Sequence, residues 1–585
     1  MSTKVVELNK WLKQDDAAAW VSNLWTAFNN QRREKIEEWK ELRNYVFATD
    51  TTTTANQTLP WKNSTTLPKM CQIRDNLHSN YLSALFPNDD WLRWEAYSKD
   101  DGTKKKTRAI EAYMKNKTRE GHFRTEMSKL LLDYIDYGNA FATVDFSAQY
   151  REDPTTGQRI AGFIGPRVFR ISPLDIVFDP TAATFDESFK IVRSIKTVGE
   201  IQKMAEEWPE NAFYASYAAR RATMRKVLGG YSIEDFDKAE GYSVDGFGNL
   251  YEYYQSDYVE ILEFYGDYHS TETGELKSNV VITVFDRCHV VREEPIKSYF
   301  GKAPVCHVGW RMRPDNLWAM GPLDNLVGMQ YRIDHLENLK ADAMDLCVHP
   351  PLVISGEVEE FVWGPGAEIH TDENGSVSEL GKNLNGIIAA SNEIHTLEEK
   401  MELYSGAPRE AMGIRTAGEK TAFEVQSLQN AAGRIFQEKI TSFEIELLEP
   451  ILNAMLEAAR RNMEAFDVVR VLDDDLAVQS FLSVTKDDIT GSGKIRPVGA
   501  RHYASQAQLV QNLGMMLNGP MAQVVAPHLS GIQLTKLLED ILGLERYNLF
   551  KPNAAIFEQQ ETQRLVNQAQ EDLQMEAAVP QDITS

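Results

Sequence analysis

The chain has 585 residues, of which 43% are hydrophobic and 25% are charged, a composition typical of a soluble globular protein with several domains. Its formal net charge of −24, from 62 basic and 86 acidic residues, argues against a protein that grips nucleic acid over its whole surface. The acidity fits a wall past which DNA slides, or a chain that is simply kept in solution. No apolar run approaches the ~18 residues of a membrane span. The four cysteines form no CxxC pair, which is typical of a reducing cytoplasm.

The first 315 residues predict a mixed α+β domain. Residues 1–45 and 103–137, and the segment from Met70 to Phe86, have the pattern of helices. Further along, β-branched and aromatic residues predict strands, two of which flank a turn and form a hairpin. The predicted strand segments are Ala140–Phe146, Gly162–Phe178, Tyr258–Tyr265, Val280–Val291 and Pro304–Trp310.

A second pattern begins at Gly321. Pro322 suits the first turn of a helix, which continues to Met344 and stops before Pro350. Residues 350–388 form a small glycine-rich insert, and a further helical segment covers Ser391–Tyr404. Because two helices bracket a compact insert, we expect them to lie side by side and to project it away from the main body.

A long amphipathic helix is predicted from Thr421 to about Met463, because apolar residues recur there at intervals of three and four. Pro450 removes one backbone donor, so we expect a kink near Leu447. Two strands follow, within 463–500, and the chain from Ala500 to its end is predicted to be helical.

The sequence contains none of the common catalytic motifs in complete form. Gly491–Lys494 lacks the flanking glycine and hydroxyl of a phosphate-binding loop, and neither HExxH nor GxSxG is present. The pairs Cys288-His289 and Cys306-His307 offer metal ligands, but neighbours in a strand face opposite ways, so core packing is favoured over zinc. The run Asp473–Asp475 fits either a divalent-ion site of a nuclease or a solvated loop.

Basic residues cluster in the loop before the long helix. On a symmetric ring each would become a ring of positive charge around the axis, able to contact phosphates without reading bases. On a monomer they would simply lie at the start of a helix, with their positive charges balanced by neighbouring glutamates. The basic residues are Arg409, Arg415 and Lys420.

Five stretches resemble the portal (head-to-tail connector) proteins of tailed bacteriophages, most of all those of short-tailed phages. Their order along the chain is more specific than any one of them. They are Leu67–Leu77, Leu85–Trp94, Gly165–Thr181, Gly321–Gln330 and Gly418–Val425. The resemblance covers most of residues 1–510.

The resemblance implies an α+β portal fold and a ring of twelve subunits. It implies a wing, two stem helices around a clip, a tunnel loop, a long kinked tunnel helix and a helical crown. The implied boundaries are 1–315 for the wing, 316–348 for stem helix 1, 349–390 for the clip, 391–405 for stem helix 2, 406–420 for the tunnel loop, 421–462 for the tunnel helix, 463–500 for strands returning to the wing and 501–585 for the crown and C-terminal tail.

The resemblance also implies a function without enzymatic activity, cofactor or metal. The ring would occupy the unique capsid vertex of the virion, nucleate procapsid assembly in the host cytoplasm, and carry double-stranded DNA during packaging and ejection. Terminase and later the tail adaptor would dock on the clip, at Glu357, Glu359, Glu360 and Trp363. Further implied partners are the major capsid protein and the scaffolding protein, with no membrane. The alternatives are another ring-forming connector or adaptor, or a metal-dependent nuclease that uses Asp473–Asp475.

Overall fold

The computed structural model describes fifteen stretches of the chain, which form two compact units that are treated separately below. The first unit contains the described residues up to 86, from 117 to 463 and from 494 to 497, and the second contains those from 91 to 116 and from 466 to 493. The stretches are 15–47, 63–86, 91–100, 104–152, 159–197, 199–203 without 202, 258–270, 274–297, 301–348, 352–356, 375–379, 384–405, 435–463, 466–472 and 479–497.

Helices and strands alternate in blocks along these stretches, so the predicted α+β class is confirmed. The helices are α1 Asp16–Gln31, α2 Arg33–Phe47, α3 Lys69–Leu85, α4 Lys104–Glu120, α5 Phe123–Asp136, α6 Val327–Val348, α7 Leu384–Tyr404, α8 435–443, α9 Glu449–Asn462 and α10 Lys486–Ile489. The strands are β1 Leu92–Ala96, β2 Asn139–Glu152, β3 Arg159–Ile171, β4 Ile176–Phe178, β5 Lys190–Thr197, β6 Tyr258–His269, β7 Leu276–Phe285, β8 His289–Pro295, β9 Val305–Gly309, β10 Arg311–Arg313, β11 Asn316–Met320, β12 Leu352–Ser355, β13 Ser376–Glu379, β14 Phe466–Leu472, β15 Gln479–Thr485 and β16 Gly493–Pro497.

Two antiparallel sheets form the body of the first unit. One has five strands in the order β4-β5-β6-β7-β8, and the other has three in the order β3-β2-β9. Helix α1 covers the five-stranded sheet, where Val21 and Trp25 join Leu262, Phe264 and other buried apolar residues in one core cluster. The apolar face of α1 and the alternating strand residues therefore form this core together.

A second core cluster is dominated by aromatic rings. Trp39 of α2 lies 5.7 Å from Trp318 of β11, which stacks on Phe178 at 4.5 Å. Phe141 of β2 belongs to the same cluster. Large rings supply much apolar area per residue, and offset or edge contacts add to their packing energy.

Arg32, between α1 and α2, contacts both core clusters, since its guanidinium also lies 6.0 Å from the ring centre of Trp25 in the first cluster. Its guanidinium donates to the carbonyl oxygens of Pro173 and Leu174, both at 2.6 Å, and lies over the Trp318 ring at 5.5 Å. Arg32 is only 6% exposed, so its charge is solvated by these protein groups rather than by bulk water.

The segment 280–291, predicted as one strand, is two strands joined by a tight turn. Asp286 and Arg287 have φ of 49° and 56°, in the left-handed region that turns of this type require. Glu260 holds the turn, because its backbone oxygen accepts the Asp286 N–H at 2.7 Å and its carboxylate accepts the Arg287 Nε at 2.7 Å. The single-strand prediction is wrong here, because a turn without glycine carries no sequence signal of its own.

The first turn of α6 also differs from expectation. The predicted start at Pro322 is wrong, since the helix begins at Val327 and the preceding residues form turns. The backbone approaches itself closely at this point. A Cβ on Gly138, which has φ of +70°, would lie 2.4 Å from the Gly321 backbone nitrogen. Position 138 therefore requires glycine, and residues 321–326 form turns in which the Asp324 carboxylate accepts the Gly321 N–H at 3.1 Å.

Where a kink was predicted near Leu447, the structure has a π-helical turn, Glu444–Leu448, between α8 and α9. The N–H of Glu449 bonds to the carbonyl oxygen of Glu444, five residues back. Pro450 has no N–H to offer the preceding turn, so a wider turn lets the helix continue past it.

The second unit holds β1, most of α4, β14, β15 and α10. Thr485 caps α10 with a capping box to Asp488, whose carboxylate also pairs with Lys105 at 3.2 Å. No described helix in either unit is long and apolar enough to cross a bilayer.

We predict that Arg32→Met lowers the free energy of unfolding by about 3 kcal/mol. The substitution leaves two buried carbonyl oxygens without their donor, and each such loss costs about 1–3 kcal/mol. The exposed neighbour Arg33 provides the control, because Arg33→Met removes the same charge and costs less than about 0.5 kcal/mol. Denaturant unfolding of both variants measures the difference, and equal losses would show that Arg32 does not join the cores.

Candidate functional site

The part of the first unit that matches the predicted helix, insert and helix is built from α6, β12, β13 and α7. Helices α6 and α7 pack against each other, as predicted. Strands β12 and β13 pair antiparallel between them in sequence, in a register that joins Val353 to Ser378 and Ile354 to Val377. Helix α7 begins at Leu384, seven residues before the predicted Ser391. The paired strands β12 and β13 therefore connect the C-terminal end of α6 to the N-terminal end of α7.

This region exposes an unusual amount of apolar surface. Eight of the sixteen large apolar side chains that are exposed among the described residues lie on α6, β12 and α7, although these elements are a small part of the chain. Where exposed apolar side chains lie together on a monomeric protein, they mark a contact surface. The eight are Tyr331, Met344, Val348, Val353, Ile354, Ile388, Leu403 and Tyr404.

A row of buried polar residues runs along α6 at intervals of four. Gln330, Asp334, Asn338 and Asp342 are each no more than 2% exposed. Residues four apart share one face of a helix, so these side chains form a continuous row, which we call the acceptor row. Polar side chains that are buried this deeply need hydrogen-bond partners.

The partner of the acceptor row is the backbone of residues 63–70, which we call the strap; its last two residues, Lys69 and Met70, open helix α3. The Asp342 Oδ1 accepts the N–H of Asn63 at 3.1 Å, and the Asn338 Oδ1 accepts that of Thr65 at 2.8 Å. The Asp334 Oδ1 accepts the N–H of Leu67 at 3.0 Å. The Gln330 Oε1 accepts the N–H of Met70 at 3.2 Å, and its Nε2 donates to the Leu67 carbonyl at 2.6 Å.

Two repeats of nearly equal length make this pairing possible. Four residues of an α-helix rise about 6 Å, and two residues of an extended chain span about 6.6 Å. Alternate strap amides at Asn63, Thr65 and Leu67 therefore meet successive acceptors of α6, as they would meet the carbonyls of a neighbouring strand. The side-chain oxygens along α6 thus accept hydrogen bonds from an extended segment in the way that the carbonyl oxygens of an edge strand do.

An ion pair attaches the same strap to α7. Lys69 Nζ lies 2.6 Å from Glu402 Oε1, and the two side chains are 9% and 7% exposed. A pair that is this buried is costly to break from one side, because the remaining charge stays unsolvated. The strap therefore contacts both helices of the pair.

Burial also perturbs the acidity of the acceptor row. It raises the pKa of Asp334 from 3.8 to about 6, against the hydrogen bonds from Leu67 and Gln330, which lower it. The charged side chains that the strap and α7 bring to this side of α6, Lys69 and Glu402, pair with each other.

The acceptor row was not anticipated from the sequence. Four polar residues at a spacing of four also describe a solvent-facing helix surface, which is the more common case. A signal was present, since Asp and Asn are poor helix formers and compete for backbone hydrogen bonds. Their recurrence at 334, 338 and 342 indicates a backbone partner.

The site residues predicted from the sequence lie outside the described part of the chain. This holds for the tunnel-loop residues Arg409, Arg415 and Lys420, and for the run Asp473–Asp475. It also holds for the clip residues, which are Glu357, Glu359, Glu360 and Trp363. Their roles remain predictions.

Of the Cys-His pairs, Cys306-His307 lies in packed surroundings, as predicted, while Cys288 is buried and His289 Nδ1 lies 2.9 Å from Asp15 Oδ2. The His307 ring stacks on Phe141 at 4.6 Å, and its Nε2 is 3.1 Å from the Asn139 Oδ1. Burial lowers the pKa of His307 to about 3 and raises the pKa of Cys306 to about 12. Lys494, from the discounted phosphate loop, instead pairs with Glu449 at 2.8 Å.

No protein-family model and no curated protein matches the chain. Among solved structures, one that matches is the neck of an empty GTA particle computed with C6 symmetry, at 10% sequence identity. That match covers 86% of this chain and 93% of the other, with a TM-score of 0.34, which is too low to assign a fold.

We predict that the stability difference between the wild-type protein and Asp334→Asn depends on pH between 4 and 7. Because the folded-state pKa is raised, this carboxyl favours folding when it is protonated, and its contribution is lost as pH rises through 6. Asparagine keeps the oxygen that accepts the Leu67 N–H and has no proton to lose. The wild type should therefore lose up to about 3 kcal/mol relative to the variant over this range.

Denaturant unfolding of both proteins at several pH values measures that difference. Other titrating groups are common to the two proteins and cancel. A difference that stays constant from pH 4 to 7 would contradict a raised pKa at Asp334.

Proposed function

We propose that this chain is the subunit of a portal, a ring-forming head-to-tail connector of a tailed phage, and that it conducts DNA without acting as an enzyme. The main support for this proposal is the helix pair α6 and α7, which belongs to an α+β unit. The β12–β13 hairpin lies between the two helices in sequence. That order of parts is the one implied by the sequence resemblance. The virion, at the unique capsid vertex, is the proposed location.

The exposed apolar side chains support self-association. Met344 and Val348 of α6 are 50% and 68% exposed, and Leu403 of α7 is 64% exposed. A neighbouring copy that covers them would gain about 25 cal/mol for each Å² of apolar surface removed from water. A heterologous contact of this kind, repeated by rotation, closes a ring. Twelve copies is the number proposed here.

In a closed ring, the negative net charge of the subunits would act on the DNA in the channel. A wall that is acidic overall repels the DNA backbone, so the duplex does not adhere as it moves. Contact with phosphates is then proposed only at the tunnel loop, through Arg409, Arg415 and Lys420 of every subunit. Contacts to phosphate carry no base sequence, which suits the transport of a whole genome.

The clip is proposed as the docking surface for terminase during packaging and for the tail adaptor afterwards. The acidic residues Glu357, Glu359 and Glu360 directly precede the apolar anchor Trp363 in sequence. A tryptophan beside charged residues suits an interface in which its indole side chain supplies much of the binding energy. The major capsid protein and the scaffolding protein are the partners proposed for assembly.

We predict that Arg415→Glu combined with Lys420→Glu prevents DNA packaging or retention. Twelve copies of the change replace rings of positive charge at the channel by negative ones, which repel the phosphates. The measurement is the amount of DNA protected from nuclease inside particles assembled with the variant.

The matched control is Arg311→Glu combined with Arg313→Glu, because both residues are exposed on β10 and the charge change is the same. Particles with the control variant should package normally. Normal packaging by the Arg415 and Lys420 variant would remove the tunnel loop from the proposal.

A further inference from the structure

Two carboxylates near the C-terminal end of α6 converge on a single side-chain amide of the strap. The Asn63 Nδ2 lies 2.9 Å from the Asp342 Oδ1 and also 2.9 Å from the Asp345 Oδ2. The two carboxylate oxygens are therefore at most 5.8 Å apart, which is twice that distance. Residues three apart on a helix lie on the same face, so the spacing of the two aspartates produces this arrangement.

The negative charge of this pair has no positive side chain beside it in the described part of the chain. Neither Asp342 nor Asp345 pairs with a lysine, arginine or histidine there, and the neighbouring Lys340 is bonded to Glu337. Helix α6 also has no basic residue in its last turn. Because the C-terminal end of a helix carries partial negative charge, the dipole of α6 adds to the charge of the two carboxylates. This end of the helix therefore attracts a cation.

One oxygen of the pair also lacks a hydrogen-bond donor. Asp342 is 2% exposed, and its Oδ1 accepts both the backbone N–H and the side-chain amide of Asn63. Its Oδ2 is buried and accepts no hydrogen bond from any described residue. Buried polar atoms of native proteins are satisfied by protein groups, by ordered water or by an ion. A hydrated cation meets both requirements, since it brings positive charge and O–H donors together.

We propose that Asp342, Asp345 and Asn63 bind a hydrated magnesium ion. Mg²⁺ prefers oxygen ligands and commonly uses one or two carboxylates while it keeps several waters. Neighbouring ligands of an octahedron with bonds of about 2.0–2.1 Å lie about 2.9 Å apart. Both distances from the amide atom to the carboxylate oxygens have this value. The Asn63 amide, turned over so that Oδ1 takes the place of Nδ2, supplies the third ligand.

Water completes the coordination of the ion. No group of three or more His, Cys, Asp or Glu side chains that could hold a metal occurs among the described residues, so this site depends on an amide and on solvent ligands. A magnesium-bound water donates to the buried Asp342 Oδ2. The bound ion fastens the start of the strap to the last two turns of α6, directly before β12. The proposal rests on these contacts and not on the portal assignment.

Binding of Mn²⁺ to the full-length protein, measured from the electron paramagnetic resonance signal of the free ion, tests the proposal. Manganese takes the same oxygen ligands as magnesium, and excess Mg²⁺ should displace it. The test variant is Asp345→Asn, at an exposed position, and the matched control is Asp315→Asn, which removes the same charge from an exposed turn between β10 and β11. We expect Asp345→Asn to weaken this binding roughly tenfold or more and Asp315→Asn to leave it unchanged. Other acidic residues are common to all the proteins and cancel.

A variant that keeps the charge separates a built site from general attraction of cations. Asp345→Glu moves the carboxylate by about 1.5 Å, one carbon–carbon bond, and should weaken Mn²⁺ binding several-fold because the octahedral geometry is strict. Denaturant unfolding gives a second measurement, since Mg²⁺ should stabilise the wild type and Asp315→Asn more than either Asp345 variant.

Two results would overturn the proposal. Equal Mn²⁺ binding by the wild type and Asp345→Asn would show that no ion binds at this place. Equal losses in Asp345→Asn and Asp315→Asn, or unchanged binding in Asp345→Glu, would show only the diffuse attraction of an acidic chain for cations.

Discussion

The pairing of an extended backbone with a row of side chains on α6 is the constraint on which the helix pair depends. Gln330, Asp334, Asn338 and Asp342 are buried where polar groups are costly, and each of them accepts a hydrogen bond from a backbone amide of the strap, which offsets part of that cost. The strap residues before α3 are in no helix or sheet, and the amides of Asn63, Thr65 and Leu67 bond to α6 instead. The acceptor row and the strap therefore supply each other's hydrogen-bond partners. The net gain from one such hydrogen bond, about 1 kcal/mol, is close to the cost of ordering one residue.

Buried charge recurs as the way in which this chain joins its parts. Arg32 connects α1 and α2 to the turn after β3, and Glu260 fixes the turn between β7 and β8. Lys69 and Glu402 connect the strap to α7. In each case a charged side chain meets a backbone oxygen or an opposite charge at hydrogen-bond distance, which offsets the loss of water.

The sequence predicted the class, most helices and most strands, because their apolar residues are buried on one face and periodicity reports burial. It failed where structure depends on a distant partner. The turn at Asp286 and Arg287 is stabilised by Glu260, which is 26 residues away from the nearer of the two in sequence. The acceptor row of α6 has the spacing of a solvated surface, and only the strap distinguishes it from one. The functional residues chosen from the sequence, Arg415 among them, lie outside the described residues, so their roles depend on experiment.

The portal proposal requires above all that the chain forms a ring, because its phosphate contacts and its channel arise only by symmetry. Negative-stain imaging of the purified protein, together with its mass in solution, tests this directly. The account predicts rings with a central channel and a mass near twelve times 66.4 kDa. It also predicts that Leu403→Glu disrupts them while Leu276→Glu, equally exposed at 64% but on β7, does not. A monomer or compact dimer at every concentration, with or without the scaffolding protein, would contradict the account.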